Sequence, residues 1–414
     1  MQASRTSIDA VFRSESPRLI AGLTRLVRDV GLAEELAQDA LVVALEKWPT
    51  LGVPQNPGAW LMMTAKNRAL DTLRKHKLVQ RKHEEIAHVT EITQTDAFED
   101  ALDDDVGDDL LRLIFISCHP ILSMEARVAL TLRLLGGLTT EEIARAFLTA
   151  EATIAQRIVR AKRTLSEAQV PFELPRGDTL WERTSSVLGV LYLVFNEGYS
   201  ATVGEDWVRP ALCEDALRLG RILAELMPNE PEVHGLVALM EIQASRARAR
   251  VKPNGEPIVL LLQDRTQWDH EAIQRGLLAL QRAEALGGRD SYVLQAQIAA
   301  CHGRARVSEE TDWRRIVLLY TELAELTPSP VIELNRAVAV SMADGPAAAL
   351  LLVDALTHEP ALVGYPFLPA VRGDLLVKLG RLSEARQALE QAAALTRNAR
   401  ERDLLLARAA ACCS

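Results

Sequence analysis

Basic side chains that could bind a polyanion are concentrated in two segments of the chain. In the first, residues 60–83 hold seven lysines and arginines but only one acidic residue, Asp71. Lysine and arginine pair with phosphates, and an asparagine amide can make a bidentate contact with a base. The candidate nucleic-acid contacts here are Lys66, Asn67, Arg68, Arg74, Lys75 and Lys77. A run of charges is more often only a solvated helix face, so this segment needs support from its context.

The second segment, residues 137–165, has the pattern of a helix-turn-helix. Thr139 or Thr140 can cap a first helix, and a three-residue turn at 148–150 leads to a second helix over 151–165. The apolar side of that second helix consists of Ile154, Ile158, Ala161 and Leu165. Its outward side, which is polar and basic, carries Thr153, Gln156, Arg157, Arg160, Lys162 and Arg163. A basic outward face is typical of a duplex-DNA reader, and an ordinary helical hairpin is the alternative.

The elements that would position these residues are helices throughout. Apolar residues recur at helical spacing over 8–30, 33–48 and from 58 onward, with Pro17 expected to break the first helix. Trp60 and Met63 are expected to lie in the core of this first domain, 1–90, rather than to stack on bases. Two short helices over 110–135 and the helix-turn-helix form a second domain, 110–170. The predicted fold class is therefore all-α.

The net charge of −9 is distributed unevenly along the 414 residues. Residues 1–90 and 110–170 each carry +3, residues 171–414 carry −6, and residues 91–109 alone carry −9. The acidic total argues against nucleic-acid binding, but the two basic domains remove that objection. Like charges at such density repel one another, so residues 91–109 are predicted to form a flexible linker. Its carboxylates include Asp103, Asp104, Asp105, Asp108 and Asp109.

Several classes of protein are excluded by the same sequence. The five cysteines are scattered apart from a final pair, with no spacing suited to zinc, which indicates reduced thiols in a cytoplasmic protein. No apolar stretch is long enough to cross a membrane, and the amino-terminal residues do not resemble a signal peptide. The sequence has no nucleophile–base pair, phosphate-binding loop or metal cluster, so no enzymatic activity, metal or cofactor is expected.

The remaining residues, 171–414, are predicted to form an array of helices. Residues 329–356 and 365–396 repeat a helical pattern, and Gly345 and Gly380 are 35 residues apart. This spacing is close to the period of about 34 residues in tetratricopeptide repeats, so a compact superhelical array is expected. One segment departs from the pattern, because Asn254 and Gly255 lie between extended runs and favour a β-hairpin within 250–269.

In order and motif, the two basic domains resemble regions two and four of bacterial extracytoplasmic-function sigma factors. The first match consists of GLAEELAQDALVVALEKW at 31–48 and NPGAWLMMTAKNRALDTLRK at 56–75. The second is LTTEEIARAFLTAEATIAQRIVRAKRTL at 138–165. The rest of the chain is similar to the sigma subgroup with a C-terminal tetratricopeptide-like extension. The helix-turn-helix departs from the usual pattern at two positions. Leu148 stands where many such turns have glycine, and Ala150 stands where family members often have a Ser or Thr cap.

The resemblance implies a promoter-specificity subunit that binds core RNA polymerase and promoter DNA. The helix over 33–48 would dock on the largest polymerase subunit through Glu35, Asp39, Val42, Glu46 and Trp48. The basic residues of 60–83 would hold the melting −10 strand, and Asn67 occupies the position that keeps a base out of the stack. The outward residues of 151–165 would read the −35 duplex.

Three further points follow from this interpretation. A helix-turn-helix regulator that acts without polymerase, with the array as its sensor, is an alternative function, and a protein scaffold is another. The array is expected to act in cis through an intramolecular contact with the sigma regions. The nine carboxylates of the linker are expected to occupy basic channels of the polymerase as a mimic of RNA.

Overall fold

The computed structural model describes residues 2–84, 106–200, 208–252 and 256–412. Within these ranges the secondary structure is eighteen α-helices with short 3-10 turns and no strand, which confirms the all-α prediction. None of these helices is long and apolar enough to cross a membrane. The same ranges contain no cluster of ligating side chains that could hold a metal ion. The chain divides into two compact units after residue 191, within a helix.

The helices of the first unit pack in two groups. Its helices are α1 (Gln2–Val27), α2 (Val30–Leu51), α3 (Pro57–Glu84), α4 (Val106–Ser117), α5 (Met124–Leu134), α6 (Thr140–Ala146), α7 (Glu151–Glu167) and the first part of α8 (Asp178–Tyr199). α1 packs against α2, α3 and α4, whereas α5 packs against α6 and α7. Among the largest fully buried side chains are Leu23, Leu61 and Phe115. The helices that carry the two basic segments, α3 and α7, are therefore each held by a packed core.

α1 continues through Pro17, so the helix break expected at this proline does not occur. Proline inside a helix removes one backbone hydrogen bond and costs about 3 kcal/mol. Pro17 is itself buried, and Leu19, Ile20 and Leu23 on the following turns are almost fully buried. Burial of each such side chain contributes roughly 1.5–3 kcal/mol, which is enough to offset the cost.

The second unit is an array in which each helix packs on the next. After the end of α8, its helices are α9 (Pro210–Leu226), α10 (Pro231–Ala244), α11 (His270–Ala285), α12 (Ser291–Arg304), α13 (Trp313–Leu326), α14 (Pro330–Ala343), α15 (Pro346–Leu356), α16 (Phe367–Lys378), α17 (Leu382–Leu395) and α18 (Ala399–Ala411). From α12 to α18 every helix packs against its neighbour along the chain. Gly345 and Gly380 lie in the turns before α15 and α17 with φ of +99° and +73°, so a glycine with positive φ recurs at the spacing of the repeat.

The β-hairpin predicted within 250–269 is reduced, in the described residues, to one antiparallel bridge between Val251 and Pro257. The predicted turn residues, Asn254 and Gly255, lie outside the described residues. The polar residues after this segment start helical turns, since Asp264 caps the 3-10 turn Arg265–Gln267 and Asp269 caps α11. This corner of the second unit is therefore mainly helical.

Candidate nucleic-acid interface

The helix-turn-helix is formed by α6 and α7 and by the turn between them. Thr139 and Glu142 make a reciprocal capping box at the start of α6, with hydrogen bonds of 3.1 and 2.8 Å. Leu148, in the turn, has a φ of +47°, which residues other than glycine rarely adopt. Ala150 precedes α7 and provides no side-chain cap. The two departures seen in the sequence are thus present, and the turn forms despite both of them.

α7 buries one side and exposes the other, in agreement with the predicted periodicity. The buried residues are Ile154, Ile158, Ala161 and Leu165. The exposed candidates are Thr153, Gln156, Arg160 and Arg163, while Arg157 is half-buried. Arg163 is also paired with Glu167 one turn later, at 3.0 Å. α7 therefore presents hydroxyl, amide and guanidinium groups along one solvent-facing side, which is the donor set needed for base and phosphate contacts.

Lys162 does not lie on this outward face, where the sequence pattern placed it. Its side chain is 20% exposed, and its ammonium group contacts Oε2 of Glu34 on α2. The other carboxylate oxygen of Glu34, Oε1, accepts a hydrogen bond from Nε of Arg133 on α5 at 2.6 Å. We call Glu34, Arg133 and Lys162 the Glu34 clasp. It joins the helix that precedes the first basic segment to two helices of the second domain.

The Glu34 clasp was missed by sequence reasoning, although a signal for it exists. Glu34 lies on the apolar side of α2, where Ala33, Leu36 and Ala37 are also buried. A carboxylate in such a position is costly unless a cation pairs with it. The pattern therefore indicates that α2 has a basic partner, but it does not identify Arg133 or Lys162.

α3 brings part of the first basic segment together on one exposed side. Asn67 is exposed, and Met63, one turn earlier, is 67% exposed, so the expectation that Met63 belongs to the core is wrong. Lys66 is half-buried and lines a cavity of about 420 Å³ together with Glu15 and Arg18 of α1. The ammonium group of Lys66 and the side chain of Met63 thus line one concave surface, and Asn67 is exposed on the same helix.

Arg68 pairs with Asp39 of α2 at 2.5 Å. The candidate DNA contact Arg68 and the candidate polymerase contact Asp39 therefore form an ion pair, although both side chains remain more than two-fifths exposed. Arg74, Lys75 and Lys77 lie in the last half of α3, and their side chains fall outside the described residues.

The candidate polymerase contacts on α2 form an exposed stripe with one exception. Glu35, Asp39, Val42 and Glu46 follow one another at helical spacing and are all exposed. Trp48, which was placed with them, is 3% exposed and meets Trp60 edge-on, with ring centroids 5.3 Å apart. Its indole fills the core between α2 and α3, so Trp48 is a packing residue and not a surface contact.

The acidic linker is shorter than expected because its last residues are helical. Asp108 and Asp109 lie in the first turn of α4, where the helix dipole favours negative charge. The carboxylate of Asp109 is buried and pairs with Arg25 at 3.2 Å and with Arg112 at 2.6 Å. Asp109 is therefore part of the folded first unit and not of a tether. Asp103, Asp104 and Asp105 lie outside the described residues.

The start of α8 contacts the turn between α4 and α5. Nη2 of Arg183 donates to the carbonyl oxygen of Phe115 at 2.6 Å, and the Ser186 hydroxyl donates to that of Cys118 at 2.7 Å. Ser186 in turn accepts a hydrogen bond from Arg127 of α5 at 3.1 Å. Carbonyl groups at the end of a helix have no partner within it, so α8 satisfies groups that α4 leaves free.

Comparison with known proteins assigns both basic domains. Residues 11–79 match the family described as sigma-70 region 2, and residues 112–165 match the family described as sigma-70, region 4. Residues 183–284 match a family of unknown function, DUF6596. The chain is also similar to an uncharacterized protein of Rhizobium meliloti (strain 1021), with 43% identity over 399 residues, covering 95% of this chain and 93% of that protein.

Proposed function

This chain belongs to the extracytoplasmic-function-like sigma factors that carry a C-terminal extension, and we propose that it directs promoter-specific initiation through the surfaces described above. The two sigma-70 regions give it a role in transcription initiation together with core RNA polymerase and promoter DNA. In our proposal the outward side of α7 reads the −35 duplex and the exposed side of α3 takes the −10 strand. The exposed stripe of α2 binds core polymerase.

The observation that carries this proposal is the two-sided character of α7. Its buried stripe fixes the rotation of the helix, so Thr153, Gln156 and Arg160 all face solvent. An amide such as that of Gln156, on the exposed side of a recognition helix, can form bidentate contacts with a base edge in the major groove. Arg160 and Arg163, further along the same helix, can pair with phosphates.

The Glu34 clasp implies that the free protein must open before it occupies both promoter elements. Centres of −10 and −35 elements are about 25 base pairs apart, which corresponds to about 85 Å at about 3.4 Å per base pair. In the clasp, Arg133 and Lys162 of the second domain touch one carboxylate of the first. We therefore propose that core polymerase binds the form in which these contacts are broken.

We also propose that the C-terminal extension controls the sigma regions in cis. The support for this is the contact of Arg183 and Ser186 on α8 with the end of α4, at the place where the DUF6596 match begins. A shift of α8 would disturb the helices that support α7, because α5 packs against both α4 and α7. The double variant Arg183→Met, Ser186→Ala in the full chain tests whether this contact controls the activity of the sigma regions. Ser185→Ala, at an exposed neighbouring position, is the control.

Run-off transcription with core polymerase and a promoter library tests the function itself. We expect specific transcripts when the protein is added to core polymerase, and no shift of promoter duplex by the protein alone. A specific shift without core polymerase would instead support the regulator that acts by itself. The absence of any promoter selection with core polymerase would contradict the proposal.

A further inference from the structure

The second unit contains a cavity of about 680 Å³ that the sigma function leaves unused. It is bordered by the end of α8 and by α10, α12, α13 and α14, together with the segment before α11. Cavities that bind small organic molecules have volumes of roughly 300–1,000 Å³. Four aromatic side chains form part of its wall: Tyr192, Trp268, Tyr320 and Tyr365. Both size and lining therefore fit a small ligand with a flat apolar part.

Arg246 is the one charged side chain among the residues that line this cavity. Its Nη2 donates to the hydroxyl group of Tyr199, and its guanidinium lies 5.5 and 5.8 Å from the ring centroids of Tyr199 and Trp268. Its Nε is buried and has no hydrogen-bond partner. No carboxylate in the described part of the chain forms an ion pair with Arg246.

Other arginines of the array have partners that Arg246 lacks. The buried Arg265 beside it donates to two backbone carbonyl oxygens, both at 2.8 Å. Arg221 and Arg275 both pair with the buried carboxylate of Glu241, at 2.5 and 3.2 Å. Burying a cation without a counterion is unfavourable, so a partly buried guanidinium normally receives one. Arg246 instead lines the cavity, where an incoming anion could supply the missing counterion.

Two further nitrogen atoms at the cavity are buried without a partner. They are Nε1 of Trp268 and Nδ1 of His302. Burial, together with the nearby Arg246 and Arg265, lowers the pKa of His302 to about 3, so this imidazole is neutral at physiological pH. Buried polar atoms are nearly always hydrogen-bonded in folded proteins. With Nε of Arg246, three nitrogens on residues that line the cavity are therefore left without a partner by the protein itself.

The charge balance of the cavity selects a monoanion. Among the lining residues Arg246 supplies one positive charge and His302 none, and one guanidinium matches one carboxylate in charge and in its two-oxygen geometry. The amide of Gln295 is held in place, since its Oε1 accepts from the Tyr192 hydroxyl at 3.1 Å and its Nε2 donates to Ser291 at 3.0 Å. This fixed polar group adjoins the aromatic wall, where it can orient a ring substituent.

We propose that this cavity binds a small organic carboxylate with a flat aromatic ring, whose carboxylate pairs with Arg246 and whose ring lies against the aromatic wall. This site is additional to the promoter and polymerase surfaces and is independent of them. Binding is therefore measured on the full chain without polymerase or DNA, and its failure leaves the transcription proposal untouched.

Calorimetric titration with matched probes tests the charge requirement. Indoleacetate and phenylpropionate are compared with tryptamine and phenylpropylamine, which keep the rings but replace the carboxylate with an ammonium group. We expect both carboxylates to bind at submillimolar to millimolar concentration and the amines to bind at least tenfold more weakly. Equal affinity of acids and amines, or no heat from either carboxylate, overturns the proposal.

Two variants with a matched control locate the site. Arg246→Gln is expected to weaken carboxylate binding at least tenfold, whereas Arg248→Gln, at an exposed position two residues away that does not line the cavity, should not change it. Ser329→Leu fills the cavity and leaves Arg246 in place; Ser329 makes no capping hydrogen bond, so the change is tolerable for α14. If Arg246→Gln fails to fold, Ser329→Leu decides the question. Wild-type affinity in the folded variants contradicts the assignment.

Discussion

Nε of Arg133 lies 2.6 Å from Oε1 of Glu34, and this ion pair joins α5 to α2. The Glu34 carboxylate is 6% exposed and is shared with Lys162 of α7, so one buried acid neutralises two cations of the neighbouring domain. Such an arrangement is stable only while all its members are present. Breaking a buried pair by removing one partner leaves an uncompensated charge.

Glu34→Gln is therefore expected to destabilise the first unit by about 3 kcal/mol, because Arg133 and Lys162 lose their counterion inside the protein. Urea unfolding of the full chain, followed by circular dichroism, measures the change. Glu35→Gln is the control, since this neighbouring glutamate is exposed and is not part of the clasp. Equal stability of the two variants would show that the clasp contributes nothing.

The outward face of α7 gives a second prediction, which distinguishes Arg160 from Lys162. Arg160→Gln should weaken binding of the holoenzyme to −35 duplex and reduce the slope of log affinity against log salt by about 1, since one phosphate contact is lost. Lys162→Gln should leave the slope unchanged, because position 162 lies beside the buried stripe of Ile158 and Ala161 and not on the outward side of α7. The measurement is fluorescence anisotropy of labelled promoter duplex over a range of salt concentrations.

Arg145→Gln is the control for that experiment. Arg145 is exposed and pairs with Glu141 at 2.6 Å. It is a charged surface residue like Arg160, but it lies on α6 and not on the recognition helix α7. A similar loss of slope in the Arg145 and Arg160 variants would mean that the effect reflects overall charge and not recognition.

The missing cap of α7 gives a third prediction. Ala150→Ser should stabilise the protein by about 1 kcal/mol, because a serine hydroxyl at this position can accept a hydrogen bond from a free backbone amide of the first turn. Ala152→Ser, at an exposed position inside the same turn, should be neutral or slightly destabilising. Thermal unfolding measures both, and a stabilisation of equal size in the two variants would argue against capping as its cause.

The periodic features of this fold could be predicted from the sequence. Ile154, Ile158 and Leu165 recur on one side of a helix, so the pattern alone fixed which side of α7 is buried. The capping box of Thr139 and Glu142 is likewise a local signal, three residues apart. Such features depend on residues that are near one another in the chain.

The errors concern residues whose placement depends on distant partners. Lys162 has the spacing of an outward residue, but a carboxylate on another helix attracts it inward. Asp109 belongs to an acidic run, yet Arg25 and Arg112 neutralise it in a folded helix. Pro17 would break an isolated helix, whereas burial of its neighbours holds α1 together. Local patterns carry no information about these long-range contacts.

Asn67 gives a fourth prediction, which concerns the −10 element. Asn67→Ala should impair promoter opening more than closed-complex formation, because holding an unstacked base costs a few kcal/mol that specific contacts must offset. Permanganate reactivity of unpaired thymines measures opening, and a gel shift of holoenzyme on promoter duplex at low temperature measures closed complexes. Thr64→Ala, one turn earlier on α3, is the control, since its hydroxyl donates to the Trp60 carbonyl within the helix. Equal effects of Asn67→Ala on both steps count against the assignment.

His302 gives the last prediction, which concerns the pH dependence of the second unit. Its pKa falls to about 3 in the folded protein because of burial and of the nearby Arg246 and Arg265, whereas an unfolded histidine has its ordinary value of 6.5. The unfolded chain therefore binds more protons between these values, so the stability that depends on neutral His302 is complete above pH 6.5 and is lost as the pH falls towards 3. The stability difference between wild type and His302→Gln should shrink by roughly 1.4 kcal/mol from pH 7.5 to 5.5. Urea unfolding of both proteins at the two pH values measures it, and a difference that is constant or grows at pH 5.5 would show that His302 is not held neutral.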